Sequence, residues 1–76
     1  MPKHKIISGE TCIKILCKHF DFFIARQKRS HVILKKHTRK ETIGTVVPLH
    51  KELRIGTLKS ILKLARVQEQ EFNKHL

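Results

Sequence analysis

Aromatic and acidic side chains are scarce in this 76-residue sequence, which has no tryptophan, no tyrosine and only four phenylalanines. Any stacking on a flat ligand therefore falls to phenylalanine, histidine or arginine. Six acidic residues stand against 17 lysines and arginines, so the formal net charge is +11. Such self-repulsion is offset when a chain binds a polyanion or an acidic protein. The composition favours nucleic acid as a partner over a merely soluble basic surface.

The sequence also lacks long apolar runs and paired cysteine motifs. No stretch approaches the ~20 residues of a membrane span, and no signal-peptide core follows the first residues. Cys12 and Cys17 lie about 140° apart around a helix, which disfavours a disulfide between them. Neither the cysteines nor the histidines show the spacing of a metal site. We therefore expect a soluble, cytoplasmic protein with reduced cysteines and no metal or other cofactor.

Hydrophobic periodicity predicts a single small domain with the element order α-β-β-β-α. Ser8 is a suitable N-cap for a helix that ends near His19, and the apolar residues of this helix recur at i, i+3, i+4 and i+7. A second helix with the same spacing begins at Gly56-Thr57. A short trailing helix at 69–75 is expected to lay Phe72 on the core.

Three short strands are predicted between the helices, at Phe22–Gln27, His31–Lys36 and Thr42–Val47. Gly44 suggests a bulge in the third strand, and Pro48 ends that strand. The tight turns between the strands indicate an antiparallel meander. One face of the sheet must be covered, so we expect both long helices to pack on it. The other face stays open and carries the basic strands of this α+β fold.

The most informative segment is 26–36, where a basic turn leads into an apolar strand with a single histidine, His31, at the join. From Arg26 to Lys40 there are seven lysines and arginines and no acidic residue. The cations can hold a polyanion, and histidine can both accept and donate a proton near neutral pH. This combination points to RNA, because its own 2′-hydroxyl can be made to attack the adjacent phosphate. On spacing alone, an exposed strand histidine without a catalytic role is the simpler alternative.

The candidate RNA-binding residues are polar side chains of this segment, namely Arg26, Lys28, Arg29, Ser30, Lys35 and Lys36. A solvated basic face is the alternative for the cations, and the absence of a compensating acid favours RNA. His50 is either an auxiliary catalytic group or a residue that caps the following loop through its ring, and the structural role is the favoured one. Phe22 and Phe23 point to opposite sides of a strand, so at most one of them can face RNA.

Several short motifs, taken in order, resemble the HicA-type toxins of bacterial and archaeal toxin–antitoxin pairs. The motifs are Ile7-Ser8-Gly9, Arg26-Gln27-Lys28 leading into Ser30-His31, Val47-Pro48-Leu49-His50, Lys51-Glu52-Leu53 and Gly56–Lys63. The resemblance covers nearly the whole chain, so that residues 1–76 form a single toxin domain. It implies a double-stranded-RNA-binding-domain-like fold and mRNA cleavage (an mRNA interferase). It also implies that His31 is the catalytic residue and that an acidic HicB-type antitoxin is the partner.

Two positions depart from the family pattern. The family usually has glycine directly before the Ser-His pair, where this chain has Arg29. If the turn requires a positive φ, arginine is strained there, and it either strengthens phosphate binding or misplaces His31. The trailing helix lacks a Ser or Thr cap, because Val67-Gln68 precedes it. A non-catalytic double-stranded-RNA-binding module and a catalytically weakened toxin relative are therefore the alternatives.

Overall fold

A computed structural model describes residues 6–76, which form a helix, three strands and two further helices. The elements are α1 (Gly9–His19), β1 (Phe23–Lys28), β2 (His31–His37), β3 (Thr42–Pro48), α2 (Ile55–Ala65) and α3 (Glu69–Asn73). The strands form one antiparallel sheet in the order β1-β2-β3. The predicted α-β-β-β-α order with a short trailing helix is confirmed.

Helix α1 begins and ends where its sequence predicts. The side chain of Ser8 accepts a hydrogen bond from the backbone N–H of Thr11 at 3.0 Å, which satisfies one of the donors left free at a helix start. Glu10 in the first turn and Lys18 in the last turn have the charges that the helix dipole favours. Helix α1 buries its apolar side against the sheet.

Helix α2 begins at Ile55, one residue before the predicted start, and no side chain caps it. It ends at Ala65, and the C-cap residue Arg66 adopts the left-handed conformation with φ 58°. Arg66 forms an exposed ion pair with Glu41, and this partner lowers the pKa of the Glu41 carboxyl. Helix α3 follows Gln68 without a side-chain cap, as the sequence predicts.

The sheet is irregular in β1, where the pairing shifts between Ile24 and Arg26. The prediction of a bulge at Gly44 is wrong, because Gly44 pairs in regular register with Lys35. Gly44 has no positive φ, so it can continue an ordinary extended strand. The irregularity follows from β1 having one residue more than β2 across the same stretch.

Pro48 is the last residue of β3 and pairs with His31, so the strand ends one residue later than predicted. The N–H of the next residue, Leu49, donates to the carbonyl of Ser30 at 2.7 Å. Because N–H directions alternate along a strand, the Pro48 nitrogen points away from β2, and no bond between the two strands is lost.

The core lies between the helices and one face of the sheet, as predicted. Val32, Leu34 and Val47 are buried on that face. Thr45 is buried beside them, and its hydroxyl donates to the carbonyl of Ile61 in α2 at 2.9 Å. Phe72 of α3 is completely buried, which confirms its predicted position. The helices do not cover β1, because all six of its residues are exposed.

Candidate nucleic-acid interface

The turn between β1 and β2 consists of Arg29 and Ser30, because Lys28 pairs directly with His31. Arg29 has a φ of 57°, in the left-handed region that glycine adopts with the least strain. This conformation costs a residue with a side chain about 1–2 kcal/mol. The strands on both sides of the turn pair in regular register, so Arg29 does not shift His31 along its strand.

Side-chain alternation assigns the opposite face of the sheet, which we call the open face. Val32 and Leu34 point into the core. Because side chains alternate along a strand, the odd-numbered residues of β2 point away from the helices. Their cross-strand partners share that face. The open face consists of Phe23, Arg26 and Lys28 from β1, His31, Ile33, Lys35 and His37 from β2, and Thr42, Gly44, Val46 and Pro48 from β3.

The open face is basic and contains no acidic residue. His31 is exposed at the end nearest the turn, between Lys28 and Pro48 in one cross-strand row. The next row contains Arg26, and the row after it contains Lys35. An exposed imidazole thus lies on a surface of cations, where it can exchange a proton with a bound polyanion.

The structure brings five of the six predicted RNA-binding residues to one end or one face of the sheet. Arg26, Lys28 and Lys35 lie on the open face, and Arg29 and Ser30 form the turn beside His31. Lys36 does not join them. It lies on the helix-covered side, where its Nζ is 5.9 Å from the ring centroid of Phe22. Strand alternation separates Lys35 from Lys36, and a charge count along the sequence does not take that into account.

His50 lies beyond the end of β3, close to the start of α1. Its carbonyl accepts a hydrogen bond from the N–H of Gly9 at 2.9 Å. Gly9 is required there, because a Cβ would lie 1.9 Å from the carbonyl oxygen of Pro48. The structural contact of His50 therefore uses its carbonyl rather than its ring. The side chain is exposed and borders a cleft of about 280 Å³ with Ser8 and Lys51.

Sequence reasoning missed a ring cluster at the other end of the open face. The ring centroids of Phe23 and His37 are 5.1 Å apart, with 44° between the ring planes. Nδ1 of His37 and the hydroxyl of Thr42 are hydrogen-bonded at 3.0 Å. The sequence did contain a signal for the face on which His37 lies. His37 follows His31 by six positions, and residues an even number of positions apart share a face of a regular strand.

The two cysteines lie on helix α1 and differ in burial. Cys12 is buried in α1, and burial raises the pKa of its thiol to about 12. Cys17 is half-buried, and both thiols are free. Among residues 6–76, no group of three or more His, Cys, Asp or Glu side chains could hold a metal ion. In the same part of the chain, no helix combines the length and the apolar character needed to cross a membrane.

Residues 6–76 thus define a small α+β protein with an open basic sheet face and an exposed histidine on that face. The family model described as the HicA toxin of bacterial toxin–antitoxin systems matches residues 9–67, from the start of α1 to just beyond α2. The chain belongs to this family. It is a toxin of a toxin–antitoxin system, and membership implies an antitoxin partner. Neither a curated protein nor a solved structure matches the chain significantly.

Proposed function

We propose that this toxin is a metal-independent endoribonuclease that cleaves mRNA, with His31 as general acid/base. The observation that carries the proposal is the exposed position of His31 on a face with three cations and no carboxylate. Such a surface attracts the phosphates of RNA and leaves the imidazole accessible to them. His50, whose carbonyl binds the start of α1, is the auxiliary candidate.

The reaction balances without a metal ion. A base takes the proton of the 2′-hydroxyl, and the 2′ oxygen forms a bond to phosphorus while the bond from phosphorus to the 5′ oxygen breaks. The departing 5′ oxygen takes up a proton, which leaves a 2′,3′-cyclic phosphate and a 5′-hydroxyl. His31 exchanges the proton, and Lys28 and Arg29 stabilise the negative charge that develops on the phosphate oxygens.

Phosphate contacts dominate the proposed binding mode. Arg26, Lys28 and Lys35 present charges along the open face, and we assign these charges to the phosphates of the RNA. Such contacts position a nucleic acid without specifying its sequence. We therefore expect cleavage at many sequences, with an affinity that falls steeply as salt concentration rises.

The antitoxin that the family implies is proposed to be an acidic HicB-type protein. A net charge of +11 and a carboxylate-free open face are complementary to an acidic surface. An antitoxin bound there would cover His31 and the cations together. It would silence the toxin by excluding RNA.

The second candidate function is a non-catalytic double-stranded-RNA-binding module. The observation that favours it is the α-β-β-β-α order, which such modules share while reading the shape of successive minor grooves. A binding module would be indifferent to the loss of His31. A catalytically weakened toxin is the third candidate, and the residue that favours it is Arg29.

The deciding experiment is incubation of end-labelled RNA with the full chain in EDTA. We expect the wild type to cleave and His31→Ala to lose about 10²- to 10⁴-fold in rate, the usual contribution of a general acid/base. His19→Ala is the matched control, because His19 is exposed at the end of α1, away from the open face. RNA binding by wild type and His31→Ala, with cleavage by neither, would instead support the binding module or the weakened toxin.

A further inference from the structure

The ring cluster at the far end of the open face has no role in the proton transfer assigned to His31. Phe23 pairs with Lys35, which lies four residues from His31 along β2. Four residues of a strand span about 13 Å, so the Phe23 ring is too far away to touch a phosphate held at His31. If the Phe23 ring contacts the RNA, it must contact a part of the RNA other than that phosphate.

Phe23 is unusually exposed for a phenylalanine of a small domain. Its exposed fraction is 41%, whereas its neighbour Phe22 is 4% exposed and packs in the core. The helices do not cover β1, so the ring gains nothing from the core of the protein. With no tryptophan or tyrosine in the chain, Phe23 is the large aromatic surface available on the open face.

Neighbouring side chains restrict the Phe23 ring. Phe23 and His37 together form a shallow surface, which we call the shelf. The His37 ring is tilted against the Phe23 ring, and the hydrogen bond between His37 and Thr42 limits rotation of the imidazole. Lys35 lies between Phe23 and Gly44 in the same cross-strand row. A flat aromatic surface is thus bordered by a cation and by a second ring.

Gly44 has no side chain, so the β3 end of the cross-strand row of Phe23, Lys35 and Gly44 is flat. Its backbone does not require glycine, because it has no positive φ. A Cβ there would meet the carbonyl oxygen of Leu34 at 3.7 Å and Cγ of Lys35 at 3.9 Å, which are ordinary contacts. The fold itself therefore does not require glycine at this position, and the missing side chain leaves space on the open face.

From this arrangement we infer that the Phe23 and His37 shelf stacks a nucleobase of single-stranded RNA whose phosphates contact Arg26 and Lys35. The inference rests on the proposed function and adds the form of the substrate. Base–aromatic stacking is the usual way in which proteins hold single strands, and it tolerates any base because every base has a flat face. In a duplex the bases are stacked on one another and cannot lie on the ring. The open face would hold an unpaired strand, with one base on the shelf and a phosphate near His31.

The test compares two variants of neighbouring residues on opposite faces of β1. Phe23→Leu removes the flat ring, and Ile24→Ala removes an exposed apolar side chain that shares the core side of the sheet with Leu34. Both are made in the His31→Ala background, so that the RNA is not consumed. Binding of a fluorescein-labelled single-stranded oligonucleotide is followed by anisotropy.

We expect Phe23→Leu to weaken single-strand binding by about 5- to 150-fold, the range that one stacked base contributes. Phe23→Trp should restore the affinity, and Ile24→Ala should leave it unchanged. Gly44→Val should weaken binding without lowering the thermal midpoint, because valine suits a strand interior better than glycine does. Equal single-strand affinity for Phe23→Leu and its parent would overturn the shelf, as would an equal loss for a duplex of the same length.

The two proposals fail in different ways when this binding experiment is read together with the cleavage assay. If wild type does not cleave but Phe23→Leu still weakens single-strand binding, the catalytic proposal is wrong and the shelf stands. If wild type cleaves, His31→Ala does not, and Phe23→Leu binds normally, the shelf alone is wrong. Ring-proton resonances of Phe23 that shift upfield on addition of the oligonucleotide, and not of the same oligonucleotide made abasic, would identify the stacked ring directly.

Discussion

The two faces of the sheet are built from alternate residues of the same strands, yet they differ in almost every physical property. The covered face of β2 and β3 contains Val32, Leu34 and Val47, all at most 2% exposed. The open face contains cations, two histidines and an exposed phenylalanine. A change of one position along β2 therefore separates a residue that stabilises the fold from a residue available to a ligand.

The largest difference between the faces should appear when neighbouring residues of β2 are truncated. Leu34→Ala removes a completely buried side chain and should lower the free energy of unfolding by about 2–5 kcal/mol. Lys35→Ala changes an exposed residue and should stay within about 0.5 kcal/mol of wild type. Urea denaturation measures both. Similar losses for the two variants would contradict the assignment of the faces.

A sharper comparison uses adjacent lysines on opposite faces. Lys35→Gln should make the slope of log K against log salt concentration less negative by about 0.7, because one phosphate of a single strand is no longer neutralised. Lys36→Gln should leave the slope unchanged, because Lys36 lies over Phe22 on the covered side. Anisotropy titrations at several salt concentrations give both slopes. Equal changes would show that the RNA path is not confined to the open face.

The smallest expected effect concerns the turn that joins β1 to β2 beside His31. Arg29→Gly should raise the free energy of unfolding by about 0.5–1 kcal/mol, because relief of the left-handed strain exceeds the entropic cost of glycine. It should also reduce the salt dependence of RNA binding, since one cation beside His31 is lost. Thermal denaturation and the same titrations measure these effects. A large gain in RNA cleavage by Arg29→Gly would instead support the weakened-toxin alternative.

Predictions from the sequence were reliable for features that depend on residues close together in the chain. Ser8 predicted the start of α1, and the uncapped Gln68 predicted the character of α3, because caps depend on side chains within one turn of the helix. Phe72 was assigned to the core from its apolar character alone. The catalytic assignment of His31 came from a family resemblance, and the family match supports the resemblance without testing the residue.

Predictions that needed strand register were weaker. Gly44 was expected to mark the bulge, which instead lies between Ile24 and Arg26 in a strand without glycine. Lys36 was grouped with Lys35 by charge, and the ring cluster of Phe23 and His37 was missed. For Gly44 the missing information was which residues lie opposite each other across the sheet, whereas for Lys36 and His37 it was the alternation of side chains along β2.

The sequence by itself determined the order of the elements, the composition of the core and the strong positive charge, because periodicity, caps and ionisable groups are properties of short segments. It also carried the motifs by which the chain resembles its family. The tertiary structure decided which of the basic and aromatic residues share a surface. Register and the β1 irregularity set that surface, and both depend on contacts between strands rather than on any one strand. Only the folded sheet therefore brings His31, Lys35 and Phe23 to one face and removes Lys36 from it.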